Sequence, residues 1–161
     1  AEAKAVLALC RQYGVPLIIN DRLDVALESG ADGVHVGIED APVSEIRRQA
    51  GPDFIIGATA KTVAQARAAQ AAGADYLGVG AVFPSPTKRN AIRITAEALR
   101  EICSSVSIPA VAIGGITAEN APSLRGCGMA GIAVVSAIFG ASDIQQAAAG
   151  LRTLAESITA P

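Results

Sequence analysis

The residues of this 161-residue chain that could do chemistry stand at the ends of short apolar runs. Asn20 and Asp21 close the run Pro16–Asp21, and Asp40 follows Gly37, which closes Gly33–Gly37. Thr59 closes Phe54–Thr59, Gly114 and Gly115 close Val111–Gly115, and Val135 and Ser136 close Ile132–Ser136. After the Tyr76–Gly80 run comes Phe83-Pro84-Ser85-Pro86-Thr87-Lys88-Arg89-Asn90, a proline-stiffened loop with two hydroxyls and two cations. Two carboxylates suit Mg²⁺, which takes hard oxygen ligands and completes its shell with substrate phosphates and water. Lys88 and Arg89 with Ser85 and Thr87 suit a pyrophosphate. Gly115 and Ser136 suit a phosphate, because glycine permits close backbone approach. Each has an ordinary alternative. Asp21 and Asp40 are equally placed to cap the helices that follow them. Pro-Ser-Pro-Thr-Lys also reads as a surface turn, Gly115 as a tight turn and Ser136 as a cap.

The elements that must position these residues alternate in type. Six apolar runs, each followed by a helix-type segment, give the rhythm of a (β/α) barrel, whose chemistry sits at the C-terminal ends of its strands. The expected fold is α/β, a (β/α)8 TIM barrel with about six of its eight strands present, forming a single domain over residues 1–161. An open doubly wound sheet is the competing arrangement, because strand number does not decide closure. Gly30-Ala31-Asp32-Gly33-Val34 returns as Gly73-Ala74-Asp75-Tyr76-Leu77 and, more weakly, as Gly128-Met129-Ala130-Gly131-Ile132. The other three runs follow Pro16, Pro52 and Pro109, which are expected at the first residue of a strand. Helices are expected at Glu2–Tyr13, ending before Gly14, and after caps at Thr62, Thr95 and Ser142.

Composition narrows the class. The chain is 51% hydrophobic with three Phe, two Tyr and no Trp, so its core is aliphatic. A net charge of −2 without a basic run argues against nucleic acid as a partner. No apolar stretch is long enough to span a membrane, and the opening Ala1-Glu2-Ala3-Lys4 lacks the pattern of a signal peptide. Cys10, Cys103 and Cys127 are widely spaced and odd in number, which argues against a disulfide framework and makes a reduced, cytoplasmic setting the expectation. His35 is the single histidine and lies inside a strand run, so it reads as core or lumen packing, and a nucleophilic triad is unsupported.

Taken in order, these elements resemble the thiamine phosphate synthase family. The likeness is carried by Ile18-Ile19-Asn20-Asp21, by Gly30 to Gly37 with Glu39-Asp40, by Ile55-Ile56-Gly57 and by Gly73 to Gly80. It continues through Val82-Phe83-Pro84, Thr87-Lys88, Ala112 to Ile116 and Val134 to Ile138. The resemblance implies an enzyme that joins a hydroxymethylpyrimidine diphosphate to a thiazole phosphate, releasing pyrophosphate, with Mg²⁺ and through a pyrimidine cation. It implies Asp21 and Asp40 as Mg²⁺ ligands. Asn20 and Lys88 become contacts to the diphosphate and pyrimidine, with Thr59, Ser85 and Thr87 beside them. Gly115, Val135 and Ser136 become the thiazole phosphate site. A homo-oligomer is compatible with this, although no interface is legible.

The chain departs from the family pattern in several places. The family's first strand, first helix and second strand, with their Gln-x-Arg-x-Lys element, have no counterpart. A complete chain is therefore expected to carry about 50 further N-terminal residues, from typical barrel size. Ile38 stands where Gln is usual, Thr59 and Lys61 where Ser and His are usual, and Ser85 where Thr is common. Two rivals follow from the same resemblance. One is a thiazole tautomerase, disfavoured by Ala81 where that family tends to have histidine and by the retained carboxylates. The other is a non-catalytic binder of thiazole or thiamine phosphate.

Overall fold

Side chains of a strand alternate between two faces, and here the two faces differ sharply in chemistry. In the computed structural model, which describes residues 1–84 and 93–159, the strands are β1 (Ile18–Asn20), β2 (Gly33–Val36), β3 (Ile55–Ala60), β4 (Tyr76–Gly80), β5 (Ala110–Ile113) and β6 (Gly131–Ala133). All pair in parallel, in the order β1-β2-β3-β4-β5-β6. A doubly wound sheet reverses its strand order at a switch point. Strictly consecutive order does not, so the sheet is a half-barrel with six of the expected eight strands. On its outer face Val34, Ile56, Ala60, Leu77, Val79 and Ala112 are fully buried. They pack against α2 (Leu23–Ser29), α3 (Val43–Ala50), α4 (Val63–Ala71) and α5 (Ala96–Ser104), through Ala26, Ile46, Ala66 and Leu99. The inner face carries Asn20, His35, Thr59 and Tyr76, separated by Gly57, Gly78 and Gly80.

Helix α1 (Glu2–Gln12) ends before Gly14, which has φ 63°, as its sequence requires. Thr62 and Thr95 accept hydrogen bonds from the Gln65 and Ala98 amides and cap α4 and α5. The expected cap at Ser142 is displaced by one residue: Asp143 Oδ1 accepts from the Gln146 amide at 2.9 Å to open α7 (Ile144–Thr159). A carboxylate is the stronger acceptor for a helix N-terminus. The short α6 (Ser136–Phe139) precedes it. The three prolines also sit earlier than expected. Pro16, Pro52 and Pro109 lie in the loops just before β1, β3 and β5, leaving the first ladder position to a residue with an N–H.

The internal repeat closes the N-terminal edge of the sheet. Asp32 Oδ2 accepts the Leu17 amide at 2.7 Å while its own N–H reaches the Leu17 carbonyl at 3.0 Å. Asp75 does the same to Ile56, at 2.7 and 2.8 Å. At the third copy only the backbone half survives, with the Ala130 amide on the Ala110 carbonyl at 2.7 Å. Each Gly-Ala-Asp therefore clips the start of one strand to its neighbour, at the end where conservation of shape serves stability and not chemistry.

Candidate functional site

At the opposite edge, the strands deliver the candidate residues one after another. Asp21 follows β1 directly and has φ 62°, the one non-glycine residue at positive φ among the described residues. Aspartate tolerates this region better than most side chains, and such local strain is concentrated at functional sites. The Asp21 amide donates to the His35 carbonyl at 2.8 Å and the Arg22 amide to the Asn20 carbonyl at 2.8 Å. These bonds turn the chain sharply and leave the Asn20 and Asp21 side chains exposed. Helix α2 begins at Leu23 with Arg22 as its N-cap and no side-chain cap bond. Asp21 is therefore not a helix cap. The neighbouring Arg22 cation is engaged elsewhere: its hydrogen bond to Asp24 holds that carboxyl down at about 2.

Asp40 is not a helix cap either. Its Oδ2 accepts from the Gly37 amide at 2.6 Å, closing the loop after β2, and α3 starts later, behind Pro42. A single carboxylate oxygen is used this way, and the residue is exposed. Asp21 and Asp40 thus follow adjacent strands on one rim. Among the described residues no group of three or more His, Cys, Asp or Glu converges. Two hard-oxygen donors are an incomplete cage by themselves. They fit Mg²⁺ held in the usual way, with substrate phosphates and water filling the remaining positions.

Thr59 sits one residue before the end of β3 and accepts or donates a 3.0 Å hydrogen bond with His35 Nε2. His35 Nδ1 lies 3.0 Å from the Tyr76 hydroxyl, and burial raises the phenol's pKa, keeping it neutral. The reading of His35 as lumen packing places it correctly but misses its partners. The available signal was the pair of glycines, Gly57 and Gly78, at the positions flanking it on β3 and β4.

On the other half of the rim, Gly115 has φ 64°, and a Cβ there would strike the Pro84 carbonyl and lie 2.8 Å from Phe83 backbone atoms. The Phe83 amide donates to the Gly114 carbonyl at 3.0 Å. The glycine pair is thus the seat on which the loop after β4 rests. Asn120 fixes that seat: Nδ2 donates to the Gly115 carbonyl at 2.9 Å and Oδ1 accepts the Thr117 amide at 2.9 Å. Ser136 is the first residue of α6, whose N-cap is Val135, so Ser136 is not the cap. Both residues are exposed. Ser85, Thr87 and Lys88 lie outside the described residues.

The strand ends therefore divide into two groups, carboxylates and hydroxyl after β1–β3, glycine and serine after β5–β6, with the root of the loop after β4 between them. The model of the thiamine monophosphate synthase family matches residues 1–138. A thiamine-phosphate synthase of Caldivirga maquilingensis is 51% identical over 142 residues, 88% of this chain and 69% of that protein. One from Pyrococcus abyssi is 47% identical over 155 residues, 96% of this chain and 74% of that protein. A solved structure of thiamine phosphate pyrophosphorylase from Pyrococcus furiosus superposes with a TM-score of 0.89 at 42% identity, covering 98% of this chain and 76% of that one.

Proposed function

The chain belongs to the thiamine monophosphate synthase family, a family of transferases, and we propose that it joins a hydroxymethylpyrimidine diphosphate to a thiazole phosphate with loss of pyrophosphate. The observation that carries this reading is the two-part rim, with paired carboxylates on one half and the Gly114-Gly115 and Val135-Ser136 elements on the other. Two phosphorylated substrates need two anion sites, and the loop that carries Lys88 is rooted between them.

In this reading Asp21 and Asp40 hold Mg²⁺. The ion would offset charge on the departing pyrophosphate. Asn20 and Thr59 orient the diphosphate-bearing substrate, with Ser85 and Thr87 beside them, and Lys88 adds a cation where negative charge grows on the leaving group. Gly115, Val135 and Ser136 hold the thiazole phosphate so that its ring nitrogen faces the carbon losing pyrophosphate. Ionisation precedes attack: the C–O bond breaks with both electrons leaving on pyrophosphate, and the neutral nitrogen then adds to the pyrimidine cation. A neutral nitrogen nucleophile carries no proton to remove, so this step needs no general base.

The test is product formation by the 161-residue chain from the two substrates with Mg²⁺, with and without EDTA. Metal-dependent thiamine phosphate is the expected result. Product unaffected by EDTA overturns the metal assignment, and no product from folded chain overturns the activity.

A further inference from the structure

The inner face of the sheet holds a polar chain of which the proposed reaction uses only the Thr59 end. Tyr76 of β4, His35 of β2 and Thr59 of β3 are linked in that order by two contacts of 3.0 Å each. The backbone is shaped around them. Gly57 pairs with His35 on one side and Tyr76 on the other, and a Cβ there would collide with both side chains. Gly78 pairs with Thr59, and a Cβ there would lie 2.9 Å from His35 Cε1. Glycine weakens a strand, and two of them beneath one imidazole indicate that the ring's placement matters.

We propose that His35 is a positioning residue: anchored by Tyr76, it donates Nε2–H to Thr59 Oγ1 and so turns the Thr59 hydroxyl proton toward a phosphate oxygen of the diphosphate substrate. The direction of the chain follows from acid strength. A phenol, with an ordinary pKa of about 10, is a far better donor than a neutral imidazole N–H, so the Tyr76 hydroxyl donates to Nδ1. The proton of a neutral imidazole then sits on Nε2, and a doubly protonated ring also carries one there. In both states the oxygen of Thr59 accepts from His35 and its own proton is free to donate. Thr59 lies on the half of the rim that carries Asp21 and Asp40, which is why its acceptor is assigned to the diphosphate. This inference rests on the proposed function for the identity of the ligand, though not for the hydrogen-bond chain.

His35 is the chain's only histidine, so ¹⁵N NMR of the labelled imidazole reads one tautomer. Nε2–H is expected in the wild type, with Tyr76→Phe shifting the ring toward a mixture; Nδ1–H in the wild type overturns the proposal. Kinetics give the second readout. Thr59→Val and His35→Leu are each expected to lower kcat/KM for the diphosphate substrate by about tenfold, the scale of one lost hydrogen bond to a charged group. Together they should cost no more than either alone, because both remove the same donor. His35→Gln, whose amide N–H reaches toward Thr59, should recover most of the loss. A packing role predicts either a lower Tm with kinetics unchanged or kinetic losses that multiply and are not rescued by Gln, and either pattern overturns the proposal. If the wild type forms no product, the proposed function fails separately. Titration of the same variants with Mg²⁺ and inorganic pyrophosphate then decides the relay, equal Kd values across them overturning it.

Discussion

Replacing Arg47 with methionine should lower stability without touching the rim. Arg47 lies on α3 at the N-terminal edge of the sheet, where its guanidinium gathers loop ends. Nη1 reaches the Gly51, Pro52 and Phe54 carbonyls at 2.9, 3.1 and 2.6 Å. Nη2 reaches the Gly73 carbonyl at 2.8 Å and Asp75 Oδ2 at 2.6 Å, and Nε reaches Gly73 again at 3.3 Å. A guanidinium has about five N–H donors for these contacts, so at least one hydrogen is shared and the contacts cannot all be strong. Taking the three shortest as full hydrogen bonds of about 1 kcal/mol gives roughly 3 kcal/mol. The Asp75 side chain is 46% exposed, which trims the ionic share to about 1 kcal/mol or less. The aliphatic stem of Arg47 is replaced by Met, so little packing is lost. The net is about 2–3 kcal/mol, and at about 2–4 °C per kcal/mol for a domain of this size Tm should fall by roughly 5–10 °C. Thermal melts followed by circular dichroism measure this directly, with steady-state rates at 25 °C as the companion. An unchanged Tm, or a fall in kcat where the chain is fully folded, would refute the division between a stabilising edge and a chemical one.

Other consequences follow from the same geometry. Asp40→Asn keeps an oxygen for the Gly37 amide but removes the charge, so the loop should persist while the Mg²⁺ concentration for half-maximal rate rises at least about tenfold; an unaltered Mg²⁺ dependence would exclude Asp40 as a ligand. Gly57→Ala should cost about 1–3 kcal/mol in urea unfolding through overpacking, and more than Gly78→Ala, whose new methyl meets only the His35 ring edge. Asp32→Ala should cost about 1–2 kcal/mol by stranding the Leu17 amide, read by the same method. Burial, with Cys127 nearby, pushes the Cys103 thiol up to about 11. Its thiolate therefore forms only as pH rises toward that value, and alkylation at pH 8 should run about a hundredfold slower than at an ordinary thiol near 9, as mass spectrometry of the labelled chain would reveal.

The strand positions were legible because buried parallel strands are continuous aliphatic runs, and their ends mark the rim. Tyr76–Gly80 matches β4 residue for residue, and the other five runs overlap their strands. The Gly-Ala-Asp repeat was visible as a pattern, yet its purpose was not, since a carboxylate clipping a neighbouring strand depends on which strands adjoin. The roles of Asp21 and Asp40 were likewise undecided between capping and ligation. An N-cap residue stands immediately before the first helical residue and accepts from the amides two or three residues on, and here Arg22 and Pro42 hold those positions, which leaves both carboxylates outside. Gly115 was read as a site of phosphate approach or as a tight turn. Its positive φ and the press of Pro84 behind it arise from a contact between two loops distant in sequence.

The inner face explains why sequence reasoning undervalued the lumen. Barrel interiors are usually filled by branched aliphatic side chains. Between β2 and β4 this one instead carries an imidazole, a phenol and a threonine hydroxyl, set among Gly57, Gly78 and Gly80. Polar groups in such a place are tolerated only when they satisfy one another, and among the described residues no buried side-chain nitrogen or oxygen lacks a partner. The glycines supply the space and the outer face supplies the stability, with Val34, Ile56, Leu77 and Val79 sealed beneath the helices. The two faces of one strand thus answer to different demands. A methyl added at an inner glycine displaces the groups that orient Thr59. Truncation on the outer face leaves a cavity that lowers stability alone, by about 2 kcal/mol for Val79→Ala, which removes two buried methyl groups, with the geometry of the rim preserved.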